Sequence, residues 1–359
     1  EETEKKLDME ITVEKCPSNA DNRQAKISTI LASGDKNIDL ISVNDEMISE
    51  FKHKGYLEPL EKNVMTEEVR DSFPQKYLES ICEENGHIYS VPFQMDIMMF
   101  WVNQELLKQA GLDEIKNTGD FDILQKSLKN PDQYAYGDAW ENTYVYNSLS
   151  QFVNFWGGDY FDWTDPKTKD AARYMKSMLD EKNTSPAQFV DQYEQMEEKF
   201  IRGKYGCVFM YTSALGTFLD ADVYGKNKIH MAPLPVLHKK KATNIATWQY
   251  VLNNASENKD AAVRFLQYAA GYEGSTEYAK IMKSYPARVD VIENEDIDLE
   301  GIDMIRKYLR EYTLNARPLC ENSMGAVSDM GKLFQGYVLG QCEEDSFFEQ
   351  AQNCINTYY

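Results

Sequence analysis

The stretch Ile38-Asp-Leu-Ile-Ser-Val43, which ends at Asn44-Asp45, decides the fold class. It is a short apolar run bounded by turn residues, as expected of a buried strand. Helical spacing of apolar residues predicts a helix from Asp21 to Ala32, and period-two alternation from Met9 to Val13 predicts an earlier strand. A strand, a helix and a strand in this order predict a parallel sheet in an α/β protein.

The same alternation of strands and helices continues along the chain. Further strands are predicted at 89–103, 204–212 and 246–253, and further helices at 104–110, after Ser256, and twice between 325 and 359. Ligands of such sheets bind beyond the carboxyl ends of the strands. Asn44 and Asp45 are therefore candidate ligand contacts.

Length and charge exclude several classes of protein. The chain has 359 residues, with 38 basic and 59 acidic side chains and a formal net charge of −21. That length predicts two domains, and the negative charge disfavours nucleic acid as a partner. No apolar run approaches the roughly 20 residues that span a bilayer. The first residue is Glu rather than Met, which suggests a processed chain.

The usual reactive motifs are absent from the sequence. It contains no Gly-x-Gly-x-x-Gly, no phosphate-binding loop motif and no Gly-x-Ser-x-Gly. The four His residues are isolated, and the six Cys residues form no Cys-x-x-Cys pair. We therefore predict no catalytic residues, no metal and no cofactor.

Aromatic residues interleaved with polar ones are the strongest chemical signal. They occur at 140–146, 155–163, 211–213 and 248–250. Sugar rings stack their C–H faces on flat aromatic side chains, while their hydroxyl groups need fixed donors and acceptors. This mixture favours a sugar ligand, although aromatic residues also fill cores.

Several segments together resemble one family. They are Asp39-Leu-Ile-Ser-Val-Asn-Asp45, Gly55-Tyr-Leu-Glu-Pro-Leu60, Val91-Pro-Phe-Gln-Met-Asp96, the run from Trp101 to Leu112, Phe200-Ile-Arg-Gly-Lys204, Ala232-Pro-Leu-Pro235 and Tyr285-Pro-Ala-Arg288. In this order the sequence is similar to the carbohydrate-binding solute receptors of ABC importers, the maltose/oligosaccharide-binding-protein-like family.

The resemblance implies a fold and a domain organisation. The expected fold is the two-lobed α/β periplasmic-binding-protein-like fold of type II, with a three-segment hinge. Lobe one would comprise residues 1–102 and 253–311, and lobe two residues 104–247 and 317–359. The hinge segments would lie near 100–103, 248–253 and 310–317. The family normally has a further strand before its first helix, whereas residues 1–7 here resemble the end of that helix.

The resemblance also implies a function. The chain would be a non-enzymatic, monomeric binding protein that captures an oligosaccharide between two lobes and delivers it to the permease subunits of an ABC importer. It would work outside the cytoplasm, held by a lipid anchor that this chain lacks. The residues matching the family's ligand-contact segments, or adjoining them, are Asn44, Asp45, Asp96, Trp140, Glu141, Tyr144, Tyr211, Ser213, Trp248 and Gln249.

Two alternatives remain open at this point. The same fold could bind an amino acid, a polyamine or a phosphate ester, and a cationic ligand would suit the net charge. A glycoside hydrolase would need two carboxyl groups roughly 5 to 10 Å apart. Asp45, Asp96 and Glu141 could supply such a pair.

Overall fold

The computed structural model of the chain describes residues 2–17 and 20–359. The strands are β1 Leu40–Asn44, β2 Glu83–Glu84, β3 His87–Ile88, β4 Val91–Asn103, β5 Tyr134–Gly137, β6 Tyr205–Tyr211, β7 Ile229–Ala232, β8 Ala242–Leu252 and β9 Thr313–Ala316. The α/β prediction is therefore confirmed.

The helices fall between these strands throughout the chain. They are α1 Glu2–Leu7, α2 Ala20–Ser33, α3 Asp45–Phe51, α4 Glu67–Arg70, α5 Gln75–Tyr77, α6 Gln104–Gln109, α7 Thr118–Ser127, α8 Tyr146–Trp156, α9 Pro166–Asp180, α10 Tyr193–Ile201, α11 Ala214–Asp220, α12 Lys259–Ala270, α13 Tyr272–Met282, α14 Val289–Glu293, α15 Ile302–Glu311, α16 Ser323–Val338 and α17 Glu344–Tyr358. A π-helical turn covers Leu78–Cys82 and a 3₁₀ turn covers Pro186–Val190.

The chain forms two compact units. The first comprises the residues up to Met95 together with Ala246–Glu300, and the second comprises Asp96–Ile245 together with Gly301–Tyr359. Along the chain the boundaries between the units fall at 95/96, 245/246 and 300/301, a few residues before the hinge segments near 100–103, 248–253 and 310–317, which stay a prediction. Each of the three differences has a cause in hydrogen bonding within a unit.

The hydrogen bonds of β4, α15 and β8 explain these positions. Residues 98–103 of β4 pair with β6 and β7, which belong to the second unit. The Tyr308 hydroxyl of α15 donates to Ala232 O and accepts from Phe100 N, both in the second unit. The end of β8 pairs with β1 from Asn44↔Trp248 to Leu40↔Leu252 and so belongs to the first unit.

The first unit is built around β1 and the end of β8, which run antiparallel. The helix predicted at 21–32 is present as α2, but the strand predicted at 9–13 is wrong, because residues 9–17 form no regular element. Val13 is 79% exposed, so this stretch has no buried face that would hold a strand in a sheet. The predicted parallel strand–helix–strand unit is therefore absent from residues 9–43.

The second unit has β4 between β6 and β7. Phe100 pairs with Phe209 of β6 on one side and with Ala232 of β7 on the other, both antiparallel. β5 lies parallel to β6, and the start of β8 lies parallel to β9. The β4–β6 pairing continues to Met98↔Tyr211, which brings the residues just before and just after it, Asp96 and Ser213, to one end of the sheet.

Candidate functional site

A buried carboxylate lies at this end of the sheet. Asp96 Oδ1 accepts a hydrogen bond of 2.7 Å from Thr212 Oγ1 and one of 2.9 Å from Ser213 N. Asp96 is only 8% exposed, and burial raises its pKa above the usual value, although these hydrogen bonds and the charge of Arg317 oppose the rise. The Asp96 carboxylate is therefore fixed in position by the strand pairing before any ligand binds.

Three tyrosines of the second unit, Tyr144, Tyr193 and Tyr211, lie close to this carboxylate or to one another. The rings of Tyr144 and Tyr193 have centroids 6.2 Å apart, and the hydroxyls of Tyr193 and Ser213 lie 3.5 Å apart. Tyr211 donates its hydroxyl to Asn147 Oδ1 at 2.8 Å. Burial raises the pKa of Tyr193 well above its usual value, with the Asp96 charge as a further cause, so the phenol stays neutral.

The hydroxyl of Tyr144 is the unusual group in this cluster. It is buried and has no hydrogen-bond partner among the residues that the structure describes. Burial raises the pKa of Tyr144 strongly, with the phenols of Tyr211 and Tyr193 adding to the effect. A buried hydroxyl without a partner costs about 1–3 kcal/mol, which a ligand atom that hydrogen-bonds to it would recover.

Arg317 adds a buried positive charge to the cluster. Its Nη1 donates to the Tyr146 hydroxyl at 2.5 Å. The guanidinium carbon lies 5.8 Å from the centre of the Tyr146 ring and 5.9 Å from that of Tyr211. These distances allow cation–π attraction, which holds the Tyr211 ring beside the guanidinium. We call Asp96, Tyr144, Tyr193, Tyr211, Ser213 and Arg317 the tyrosine cluster.

Trp140 does not offer a face to a ligand, which corrects the expectation that it stacks on sugar. Its indole has no exposed surface, donates from Nε1 to Asp138 Oδ2 at 2.9 Å, and packs edge-on against Phe189 and Phe334. Every side of the ring is thus used within the second unit. Trp140 is a core residue.

Glu141 lies next to Trp140 and is partly buried, but its carboxylate is also engaged. Glu141 Oε2 accepts from Thr143 N at 2.9 Å, from Thr143 Oγ1 at 2.6 Å and from Gln192 Nε2 at 3.2 Å. These bonds form a local turn that leads to Tyr144. Glu141 therefore positions the loop, and the structure gives no sign that it meets a ligand directly.

Three of the predicted contacts of the first unit lie close together. Asn44 caps α3, accepting from Met47 N at 3.2 Å, and it stands opposite Trp248 in the β1–β8 ladder. Trp248 is partly exposed and carries the Arg23 guanidinium carbon 5.4 Å from its ring centre. Asp45, the first residue of α3, is fully buried. Asn44 and Trp248 therefore have surface available for a ligand, whereas Asp45 does not.

Gln249 is a further predicted contact that the structure corrects. Its side chain has no exposed surface, accepts from Ser90 Oγ and Cys82 Sγ, and donates from Nε2 to the Tyr77 hydroxyl at 3.3 Å. These bonds tie strand β8 to the core of the first unit. A ligand could reach Gln249 only by breaking them.

Sequence reasoning missed Tyr193, although a faint signal existed. Tyr193 begins α10, and Met196 and Phe200, three and seven residues on, are buried on the same face. The helical stripe could have been extended to Tyr193, but such a stripe predicts packing rather than ligand contact. Arg317 was predicted only as part of the hinge segment near 310–317, and not as a member of the site.

Two features are absent from the part of the chain that the structure describes, a metal-binding group of side chains and a membrane-spanning helix. In residues 2–17 and 20–359 no three His, Cys, Asp or Glu side chains are grouped as a metal ion would require. None of the helices in the same part of the chain combines the length and apolar character needed to cross a membrane.

Comparison with known proteins identifies the family to which the chain belongs. The model of the family described as bacterial extracellular solute-binding protein matches residues 4–276, so the chain belongs to that family. The resemblance found in the sequence is thereby confirmed at the level of the family.

Curated relatives are distant. A protein from Sinorhizobium fredii named "Probable amino-acid ABC transporter periplasmic-binding protein y4oP" is 24% identical over 63% of this chain and 54% of its own length. A "Putative binding protein" from Brucella abortus is 24% identical over 50% of this chain and 46% of its own length. The chain thus spans about half the length of the curated relatives it matches.

Solved structures share the fold over nearly the whole chain. An ABC transporter solute-binding protein from Thermotoga lettingae bound to α-D-tagatose has a TM-score of 0.80 at 18% identity, covering 94% of this chain and 89% of that one. The GacH receptor of Streptomyces glaucescens has a TM-score of 0.81 at 18% identity, covering 99% and 93%. Maltose-bound MalE3 from T. maritima has a TM-score of 0.79 at 17% identity, covering 99% and 96%. The fold of the chain is that of these solute-binding proteins.

Proposed function

We propose that the chain binds a neutral sugar and delivers it to the permease of an ABC importer. The observation that carries the proposal is the tyrosine cluster, in which a fixed carboxylate and an unpartnered buried hydroxyl stand beside aromatic rings. Asp96 can accept hydrogen bonds from sugar hydroxyls, Tyr144 can donate to a sugar oxygen, and Tyr193 can stack on a ring face. In the first unit, Asn44 and Trp248 are the corresponding candidates.

The names of the similar structures support a sugar over other ligands. Several of these proteins were solved with bound tagatose, maltose, acarbose, cycloalternan or mannitol. At 16–18% identity these similarities establish a shared fold but not a shared ligand. The proposal of a sugar ligand therefore depends on the chemistry of the tyrosine cluster.

A zwitterionic small molecule is the second candidate. The cluster contains one buried carboxylate, Asp96, and one buried guanidinium, Arg317, which are the groups that would pair with an ammonium and a carboxylate. The name of the Sinorhizobium relative also mentions an amino acid. Arg317 is already bonded to Tyr146, and for this reason we place the sugar first.

Isothermal titration decides between these ligands. We expect saturable heat from at least one neutral oligosaccharide in a panel that also contains free amino acids, polyamines and phosphate esters. Asp96→Ala should weaken sugar binding at least tenfold, since it removes a charged hydrogen-bond acceptor. Asp132→Ala, which removes an exposed carboxylate of the same unit, is the matched control. Heat from a charged ligand with none from any sugar would contradict the proposal.

We further propose that the chain is a receptor without hydrolase activity, monomeric, located outside the cytoplasm and held by a lipid. The family is one of extracellular binding proteins, and Glu141 is engaged by local hydrogen bonds rather than poised opposite Asp96 as a second catalytic carboxylate. Turnover of labelled oligosaccharides that disappears in Asp96→Ala would contradict the first point. Light scattering of the purified chain tests the monomer, and fractionation of cells producing the natural gene product tests location and lipid attachment.

A further inference from the structure

Three asparagine side chains join helix α8 to strands β8 and β9 of the second unit. Asn154, near the end of α8, donates from Nδ2 to Asn244 Oδ1 at 2.9 Å and accepts at Oδ1 from Asn315 Nδ2 at 2.8 Å. Asn244 and Asn315 are partners in the parallel β8–β9 ladder. One amide group on the helix therefore bonds to both members of a strand pair. We call Asn154, Asn244 and Asn315 the asparagine clamp.

Strand β8 is also attached to α8 by further hydrogen bonds. Asn244 has no exposed surface, and its Nδ2 donates to Ser150 Oγ at 2.7 Å and to Asn147 O at 3.1 Å. The backbone nitrogen of Asn244 donates to Gln151 Oε1 at 3.0 Å. The start of β8 therefore has a fixed position relative to the helix, against which β9 can be aligned.

Strand β9 is short and exposed, so its backbone alone does not fix its register. It comprises Thr313–Ala316, pairs with β8 and contains no buried residue. Backbone hydrogen bonds form in the same way in any register, and a buried apolar face usually specifies which residues pair. Because β9 has no such face, the bond between the Asn315 and Asn154 amides supplies the specification.

The register of β9 decides where Arg317 stands. Arg317 follows the last residue of β9 and lies two residues after Asn315, and side chains two apart on a strand point to the same side. Both side chains reach α8, since Asn315 bonds to Asn154 and Arg317 donates to the Tyr146 hydroxyl. A slip of one residue would move Arg317 by about 3.3 Å and turn its side chain to the opposite side.

We propose that the asparagine clamp positions Arg317 in the tyrosine cluster by setting the register of β9. Asn154 and Asn315 are then positioning residues, which act through the backbone of β9 rather than by touching a ligand. In coiled coils a single asparagine amide specifies the register of neighbouring elements in a comparable way. The consequence for ligand binding rests on the proposed function, whereas the placement of Arg317 does not.

The guanidinium of Arg317 provides a measurement that needs no ligand. The chain has nine arginines, so ¹⁵N-labelled protein gives a small set of Nε–H resonances, and Arg317→Lys identifies the one from Arg317. Asn315→Ala and Asn154→Ala should both move that resonance. The reason is that the guanidinium would leave its place beside the rings of Tyr146 and Tyr211, whose centres now lie 5.8 and 5.9 Å from its carbon.

A matched control separates positioning from a general loss of stability. Asn183 is another buried asparagine of the second unit, and its Nδ2 donates to Asp122 Oδ1 at 2.7 Å. Asn183→Ala should lower thermal stability but leave the Arg317 resonance in place. A resonance that stays at its wild-type position in both clamp variants, each shown to be folded by circular dichroism, would overturn the proposal. A resonance that moves equally in Asn183→Ala would overturn it as well.

The same variants test the consequence for ligand binding. Maltose, maltotriose and raffinose are the probes for titration calorimetry. A probe that binds wild type should bind Asn315→Ala about tenfold more weakly, and Asn183→Ala with wild-type affinity. Wild-type affinity in Asn315→Ala, despite a displaced Arg317 resonance, would overturn this consequence. An absence of heat from every sugar with wild type would contradict the proposed function, and the resonance would still decide the placement of Arg317.

Discussion

Asp96 Oδ1 and the backbone nitrogen of Ser213 are joined by a hydrogen bond of 2.9 Å. The bond follows from the antiparallel register Met98↔Tyr211, which brings the residues before Met98 next to those after Tyr211. Backbone geometry, rather than a flexible side chain, therefore sets where this carboxylate stands. The position of the candidate sugar acceptor is as rigid as the sheet.

Replacing Asp96 by Asn should make stability less dependent on pH. Burial raises the pKa of Asp96, so the folded state favours the protonated form. The resulting stabilisation is fully present below the unfolded pKa of about 3.9 and is lost as the pH rises through the raised folded pKa. Asp96→Asn keeps an acceptor oxygen for Thr212 and Ser213 but cannot ionise. We therefore expect the free energy of unfolding of this variant, relative to that of wild type, to increase as the pH rises from acidic to neutral. Urea unfolding at several pH values measures this difference.

Asp132→Asn serves as the control for this measurement, because its carboxylate is exposed in the same unit. A stability difference between Asp96→Asn and wild type that stays constant across the pH range would show that the buried charge of Asp96 does not matter.

Tyr144→Phe should weaken sugar binding without destabilising the free protein. The hydroxyl of Tyr144 is buried and has no partner among the described residues, so its removal breaks no hydrogen bond there. We expect unchanged or slightly higher thermal stability and about tenfold weaker binding. Tyr211→Phe is the matched comparison, because that hydroxyl donates to Asn147 and its loss should lower stability by about 1 kcal/mol. Equal affinities of Tyr144→Phe and wild type would remove Tyr144 from the site.

Asp138→Ala should be strongly destabilising. Asp138 accepts four hydrogen bonds, from Tyr136 Oη, Trp140 Nε1, Ala139 N and Ser148 Oγ, at 2.6 to 2.9 Å. Without the carboxylate these buried donors lose their acceptor, and we expect a loss of roughly 3 kcal/mol in the free energy of unfolding. Ser148→Ala removes a single donor and should cost about 1 kcal/mol. Denaturant unfolding followed by tryptophan fluorescence measures the free energy of unfolding of both variants. Equally small losses in Asp138→Ala and Ser148→Ala would contradict the prediction.

Two glycines of α16 provide a paired test of the loop that carries Tyr144. A Cβ on Gly331 would lie 2.0 Å from Asn142 O, whereas a Cβ on Gly336 meets nothing within 4 Å. Gly336→Ala should therefore stabilise the helix by about 0.5–1 kcal/mol. Gly331→Ala must displace the backbone two residues before Tyr144, so we expect it to lower both stability and sugar affinity. Thermal unfolding and calorimetry on the two variants give the comparison, and equal effects would show that the close approach is unimportant.

The sequence identified the family and a minority of the regular elements, those in which apolar periodicity is clear, such as β4, β6, α2 and α12. It could not tell which aromatic residues face a ligand. Trp140 and Tyr193 both stand among polar residues, yet Asp138 binds the Trp140 N–H within the core while Tyr193 reaches Ser213. That difference depends on partners distant in sequence.

Strand alternation explains the error at Gln249. Side chains along a strand point to opposite faces in turn, so Trp248 and Gln249 cannot both face outward. The structure leaves Trp248 and Tyr250 partly exposed and buries Gln249. The sequence of β8 does not reveal which of Trp248 and Gln249 faces the core, because both side chains carry polar atoms. The strand predicted at 9–13 failed for a different reason. Apolar and polar residues alternate there, but Val13 is exposed and the stretch packs against no sheet.

The division of the chain has a consequence for gene design. The second unit is encoded in two blocks, 96–245 and 301–359, and the block between them belongs to the first unit. Removing residues from within 2–95 or from within 301–359 therefore shortens one unit only. Expressing the tyrosine cluster alone would require both blocks, because Arg317 is encoded downstream of the interruption and Asp96 upstream of it.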